Sequence, residues 1–153
     1  MKAVAITRRD CLDQAWTKFL AACELLPVLL PNVTDAALEL CDRAGIAGLV
    51  LTGGNDLAAL GGDAPERDAT ENSWLDFAER RKLPVLGVCR GMQMIQQRFD
   101  IPLRRVGGHV TESSRPPLAV WAQPITGIMW HPERSAPFKP ADVNLFPQIF
   151  GVE

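Results

Sequence analysis

Tyrosine is missing from this chain of 153 residues, and histidine occurs only twice. Any imidazole chemistry therefore rests on His109 or His131, and each can be weighed individually. No excess of either charge is present: 16 Lys and Arg face 18 Asp and Glu, a net charge of −2 with a pI near 5.7. That balance gives no support to nucleic acid or an anionic membrane surface as a partner. The four cysteines, Cys11, Cys23, Cys41 and Cys89, contain no C-x-x-C pair, which argues against a zinc knuckle or a thioredoxin-type motif. No apolar run approaches the length that spans a bilayer. The apolar stretch before Arg8, Arg9 and Asp10 is too short for a signal-peptide core. A cytoplasmic protein with free thiols is expected. Internal repeats and low-complexity tracts are lacking too, and Thr52 to Asp56 has no Gly-Lys-Ser/Thr of a phosphate loop.

What is present fits one globular domain over 1–153: 47% hydrophobic and 22% charged residues, enough chain to bury a sizeable core. Short apolar runs alternate with stretches of helical periodicity. Strands are expected over 4–6, 26–30, 48–51 and 84–88, and helices over 11–25, 35–44, 71–82 and 89–98. Asp10 is the expected N-cap of the first helix, and the Gly-, Asp- and Pro-rich stretch 59–70 reads as a loop. The strands are continuously apolar, as when both faces of a sheet are covered. The expected fold is therefore α/β, an open, mainly parallel sheet with helices on both faces. Beyond Ile101 the pattern weakens. Strands over 118–121 and 125–130 and a closing helix over 143–150 are expected there.

The sharpest local signal is Gly87-Val88-Cys89-Arg90-Gly91, which follows an apolar strand and leads into a helical pattern. It has the form of a nucleophile elbow with Cys in place of Ser. Side chains two positions either side of the nucleophile would strike neighbouring backbone, hence the glycines. A helix starting at Cys89 aims free N–H groups and its positive end at the sulfur, which favours the thiolate and can bind a developing oxyanion. A buried strand-end cysteine, with glycines for packing, gives the same pattern.

A cysteine nucleophile needs a base. His131 ends an apolar run and precedes Pro132, which pushes it toward extended geometry, so that Glu133 shares its face and can orient the ring. His109, in Val106-Gly107-Gly108-His109, has only Glu112 nearby and reads as structural or as a residue at the substrate rim. Gly53 and Gly54 end the third strand, where backbone N–H groups can approach a bound carbonyl; a plain turn has the same composition.

Taken together, the elbow through Gln93 and the late Trp130-His131-Pro132-Glu133 resemble the two signatures of the class I glutamine amidotransferase superfamily. Thr52-Gly53-Gly54-Asn55-Asp56-Leu57 resembles its γ-glutamyl hydrolase branch, peptidase C26. Within that branch, Arg8-Arg9-Asp10-Cys11-Leu12-Asp13 and Glu66-Arg67-Asp68-Ala69-Thr70-Glu71 are similar to members that hydrolyse γ-glutamyl-CDP-amidate. The resemblance implies a flavodoxin-like, glutamine amidotransferase-like sheet. It implies that Cys89 attacks a γ-glutamyl amide, His131 transfers the proton and Glu133 orients His131. It further implies that backbone N–H groups of Gly54 or Asn55, at the Gly53–Gly54 turn, and of Arg90 form the oxyanion hole, with Gln93 near the amino-acid end of the substrate. The products would be glutamate and an amine, with no metal and no organic cofactor.

The chain departs from the family between Val110 and Gly127, where it has sixteen residues and the family several tens more, so the fold is expected to be truncated in its second half. The missing piece normally builds a pocket wall and extends the sheet. Self-association as a homodimer, through about 118–130, would cover the exposed edge. Two further readings stand beside a hydrolase of a small-molecule γ-glutamyl substrate: the glutaminase subunit of an amidotransferase that passes ammonia to a synthetase partner, and a non-catalytic shortened family member.

Overall fold

The computed structural model describes residues 1–7, 14–103, 119–122 and 125–152, with 119–122 described in backbone only. Among these residues the strands are β1 (Lys2–Ile6), β2 (Leu25–Leu29), β3 (Gly48–Leu51), β4 (Val85–Val88), β5 (Ala119–Ala122) and β6 (Ile125–Ile128). The α-helices are α1 (Gln14–Ala22), α2 (Thr34–Arg43), α3 (Pro65–Arg81), α4 (Arg90–Arg98) and α5 (Pro140–Phe150). The six strands form one sheet in the order β2-β1-β3-β4-β6-β5. All neighbours are parallel except β5, which runs antiparallel to β6 at the far edge.

Helices cover both faces. On one, Ala37 and Cys41 of α2, Trp74 and Leu75 of α3, and Ile95 of α4 pack on Leu49, Leu51 and Val85. On the other, Trp16, Phe19 and Leu20 of α1 and Phe146 and Phe150 of α5 pack on Val4, Val50, Leu86 and Ile128. β3 and β4 are buried at all eight of their positions, the signature of central strands sandwiched between helix layers. Phe19 is fully buried and meets Phe146 edge-on at 4.7 Å and Phe138 at 5.2 Å, contacts that each add roughly 0.5–1.5 kcal/mol to area burial.

The register brings the carboxyl ends of four strands side by side: Ile6 pairs with Val50, Leu51 with Gly87, and Val88 with Ile128. The residues that follow, Thr7, Thr52, Cys89 and His131, therefore gather at one end of the sheet.

Three expectations are corrected. The helix expected over 71–82 begins at Pro65: proline takes the first helical position and Glu66 and Asp68 lie in the first turn, so residues that read as loop are the helix start. The spacing of Met92, Ile95 and Phe99, three and four residues apart, places them on one helix face, yet Phe99 is 38% exposed and follows α4 as its C-cap. His131, Pro132 and Glu133 do not continue a strand: β6 stops at Ile128, and Pro132–Arg134 form a 3-10 turn, because proline lacks the N–H a ladder requires. Cys11, the N-cap at Asp10, His109 and most of the segment expected to mediate self-association lie outside the described residues or, for 119–122, their side chains do. No helix among the described residues is long and apolar enough to cross a membrane.

Candidate active site

Cys89 sits between β4 and α4 with φ 54° and ψ −105°, a conformation that costs a non-glycine residue on the order of 1–3 kcal/mol. The strain is held from both sides. The Cys89 N–H donates to the Ile128 carbonyl at 2.8 Å, and the Cys89 carbonyl accepts from the Gln93 N–H at 3.2 Å. The flanking glycines are obligatory: a Cβ at Gly87 would lie 2.6 Å from the Gly91 backbone, and one at Gly91 would lie 2.0 Å from the Leu51 carbonyl oxygen. The chain can turn this sharply only where α4 lies directly on β3 and β4, and that close approach leaves Cys89 half-buried at the helix N-terminus. Arg90 is the first residue of α4, so its N–H lies in the turn that has no intrahelical acceptor. Gln93, one turn further, is half-buried.

His131 is the residue before the 3-10 turn, and the turn folds Glu133 back onto it. His131 Nδ1 and Glu133 Oε1 are 2.9 Å apart, with only 7% and 2% of the two side chains exposed. The structure brings Cys89, His131 and Glu133 together, and both neighbours act on the charge of the imidazole. Burial, the largest single influence, lowers the basicity of the ring. The hydrogen bonds to Cys89 and Glu133 and the charges of the two acids outweigh it and push the His131 pKa up to about 9. Glu133 Oε2 has no hydrogen-bond partner among the described residues.

The loop after β3 passes beneath the imidazole. A Cβ at Gly53 would lie 2.7 Å from His131 Cε1, so only glycine fits there. Gly53 is buried, whereas Gly54, at φ 152°, is exposed. Asn55 is turned away from the cysteine: its Nδ2 donates to Asp63 Oδ1 at 2.8 Å and its Oδ1 accepts from Arg67 Nη1 at 3.5 Å.

Behind this loop lies a cluster that the sequence pattern had not placed. Arg67 is 2% exposed; its Nη2 donates to the carbonyls of Thr52 (3.0 Å) and Gly53 (3.2 Å) and to Thr7 Oγ1 (3.2 Å), and its Nε to Glu71 Oε1 (2.9 Å). The other Glu71 oxygen accepts from Arg90 Nη1, and Arg90 Nη2 pairs with Asp68. Arg67 and Glu71 stand at i and i+4, the spacing of an intrahelical ion pair. The signal was there, but it becomes visible only once the helix is known to begin at Pro65. Among the described residues, no three His, Cys, Asp or Glu side chains gather as a metal site would require.

Comparison with known proteins bears on this arrangement. A family model described as Peptidase C26 matches residues 1–100. The chain is 33% identical over 106 residues to "Gamma-glutamyl-CDP-amidate hydrolase" of Campylobacter jejuni, a match covering 67% of this chain and 52% of that one. It is 38% identical over 78 residues to "Putative glutamine amidotransferase Rv2859c" of Mycobacterium tuberculosis, covering 44% of this chain and 25% of that one. The chain thus spans about half, or less, of the length of these relatives. In fold it is similar to the crystal structure of a putative GMP synthase subunit from Thermoplasma acidophilum. The TM-score is 0.67 at 18% identity, covering 99% of this chain and 94% of that one.

Proposed function

Because the chain belongs to the peptidase C26 family, we propose that it hydrolyses the γ-amide of a glutamine-like substrate through a thioester on Cys89. The observation that carries this reading is the buried imidazole of His131, bonded to Glu133 and raised in basicity by Glu133 and by Cys89 at the start of α4. With Nδ1 engaged by Glu133, Nε2 is left for the thiol.

In this reading the Cys89 sulfur bonds to the γ-carbonyl carbon, and its proton passes to His131. The carbonyl oxygen becomes an oxyanion facing the N–H groups of Gly54 and Arg90. The C–N bond then breaks as His131 returns the proton to the departing amine. Water, deprotonated by the same imidazole, attacks the thioester; the C–S bond breaks, glutamate leaves and the thiol is restored. Glu133 fixes the imidazole tautomer and stabilises the imidazolium throughout. No step calls for a metal or an organic cofactor. Gln93, one turn into α4, would meet the amino-acid end of the substrate.

The reading takes 1–153 as one domain, supported by Lys2 Nζ donating to the Phe150 and Gly151 carbonyls at 3.2 and 2.6 Å, which ties the first strand to the last helix. It places the protein in the cytoplasm, where Cys89 stays reduced. It also takes the chain as a homodimer across the edge that β5 leaves open, tested by light scattering.

The test is a panel of γ-glutamyl compounds, including glutamine, γ-glutamyl anilides and γ-glutamyl-CDP-amidate, the substrate in the name of the Campylobacter relative. Release of glutamate with an equivalent of amine, abolished in C89S, is the expected result. Ammonia release from glutamine only when a synthetase is added would favour the amidotransferase-subunit reading. No turnover on any member would favour a non-catalytic one.

A further inference from the structure

Two glycines in a row pose a mechanical problem for an oxyanion hole. Gly53 cannot carry a Cβ because the His131 ring occupies that space, and Gly54 adopts φ 152°, which side-chain-bearing residues avoid. With no Cβ at either end, the Gly53–Gly54 peptide has no side chain of its own to oppose a flip of its plane. A flip would exchange the positions of the Gly53 C=O and the Gly54 N–H, since a trans peptide carries them on opposite edges.

We infer that Arg67 is the positioning residue that prevents this flip and so keeps the Gly54 N–H turned toward the crevice. The inference rests on the hydrolase reading for its consequence, though not for its geometry. Arg67 Nη2 takes the Gly53 carbonyl at 3.2 Å and the Thr52 carbonyl at 3.0 Å from the buried side of the loop. With the C=O held inward, the N–H of the same peptide points outward, on the exposed side where Gly54 lies. A flip would set that N–H against a guanidinium, donor against donor.

The clamp extends to the second donor. Glu71, fully buried, receives Arg67 on Oε1 and Arg90 on Oε2, so one carboxylate is shared by the arginine that orients the loop and by the first residue of the elbow helix. Asp68 closes the set on Arg90. Two guanidinium groups and two carboxylates balance in charge. Buried ion clusters of this kind contribute little to stability compared with apolar packing, and fixing one geometry is the best-attested reason to keep them. Here the geometry fixed is the spacing between the Gly54 and Arg90 N–H groups.

The test compares the wild type with R67M and with the charge-balanced R67M/E71Q, which serves if the single variant fails to fold. Three quantities are read: kcat and KM on a γ-glutamyl anilide, the iodoacetamide alkylation rate of Cys89, and the orientation of the Gly53–Gly54 peptide in crystals. The expected result is a fall in kcat of about 10²- to 10³-fold, as for loss of an oxyanion donor. KM should stay within about threefold and alkylation within about twofold, because substrate contacts and the Cys89–His131 pair are untouched. A kcat within threefold of wild type overturns the inference. So does a fall in kcat matched by an equal fall in alkylation, which would show general disorder of the elbow. If the wild type itself turns over nothing, the hydrolase reading fails and the crystal structures alone judge the clamp: an unmoved peptide in the variant overturns it, a flipped one upholds it.

Discussion

Replacing Cys89 by serine should move the titration of His131, and by an amount the surroundings of the ring set. An ordinary histidine titrates near 6.5; in this site the imidazole is pushed up to about 9. The difference corresponds to roughly 3 kcal/mol in favour of the imidazolium. Burial works against that charge, and it is the largest influence on the ring. The elevation therefore depends on the two partners, with the Cys89 hydrogen bond the largest raising influence and Glu133 next. A serine hydroxyl keeps a hydrogen bond but cannot carry the charge of a thiolate. Burial remains, so the His131 pKa in C89S should fall by about one unit or more, the size of shift an adjacent opposite charge produces. The assay is a ring-proton NMR titration from pH 5 to 10. With two histidines in the chain, H109N leaves a single imidazole and no assignment problem. A wild-type value near 6.5 would refute the reasoning at its base. A value near 9 that C89S leaves unchanged would show that Glu133 alone raises it and that the sulfur is not its partner.

The same shift makes stability depend on pH. A raised histidine contributes fully below pH 6.5 and loses its contribution as pH climbs through about 9. Urea unfolding at pH 6.5 and 9.5 should therefore show wild type losing up to roughly 3 kcal/mol more than H131N; equal losses would count against it. Cys23 and Cys41 are buried thiols, pushed up to about 12 and about 11, chiefly by burial. Iodoacetamide at pH 7.5 should label half-buried Cys89 about tenfold faster or more, and mass-spectrometric mapping that finds equal labelling removes the activated nucleophile. G53A should lower turnover about tenfold or more at a smaller cost in stability than G91A, because the atoms nearest its Cβ belong to the His131 side chain, at 2.7 Å, and not to backbone. G91A, whose Cβ meets the Leu51 carbonyl at 2.0 Å, should instead destabilise by about 3 kcal/mol or more, read by denaturant unfolding; reversal of these two effects would contradict the packing described.

The α/β alternation is readable because apolar runs such as 48–51 and 84–88 are short, continuous and separated by helical periodicity; β3 is the first of these and β4 the second from Val85 on. The Cys89 turn was readable because its glycines leave a fixed spacing in the chain. The meeting of His131 with Glu133 is expected from an extended segment and is instead made by a 3-10 turn that starts at Pro132, β6 having ended at Ile128. The start of α3 escapes a reading by composition for a specific reason. Gly, Asp and Pro before a helix signal a loop when counted as composition, but Pro65, Glu66 and Asp68 in that order form a helix N-terminus. The buried position of Arg67 is hidden for the same reason. An arginine in a loop reads as solvated, whereas at the first turn of a helix lying over the sheet it faces inward.

The position of Arg67 also bears on where the reactive groups are. In an open parallel sheet the ligand crevice lies at the carboxyl ends of the strands where the order reverses, here between β1 and β3. Thr7 and Thr52 follow those two strands, and their hydroxyls are bonded to each other at 2.9 Å, with the Arg67 guanidinium on Thr7 Oγ1 and the Thr52 carbonyl. The protein has thus filled its own switch point with a cation and two hydroxyls. Along the same end of the sheet Gly54 follows β3, Cys89 follows β4 and His131 follows β6. From behind the ends of β1 and β3, the Arg67 side chain reaches the carbonyls of the loop that borders the cysteine. The same side chain could not do so from β4, where Gly87 and Gly91 must stay bare to let the helix approach.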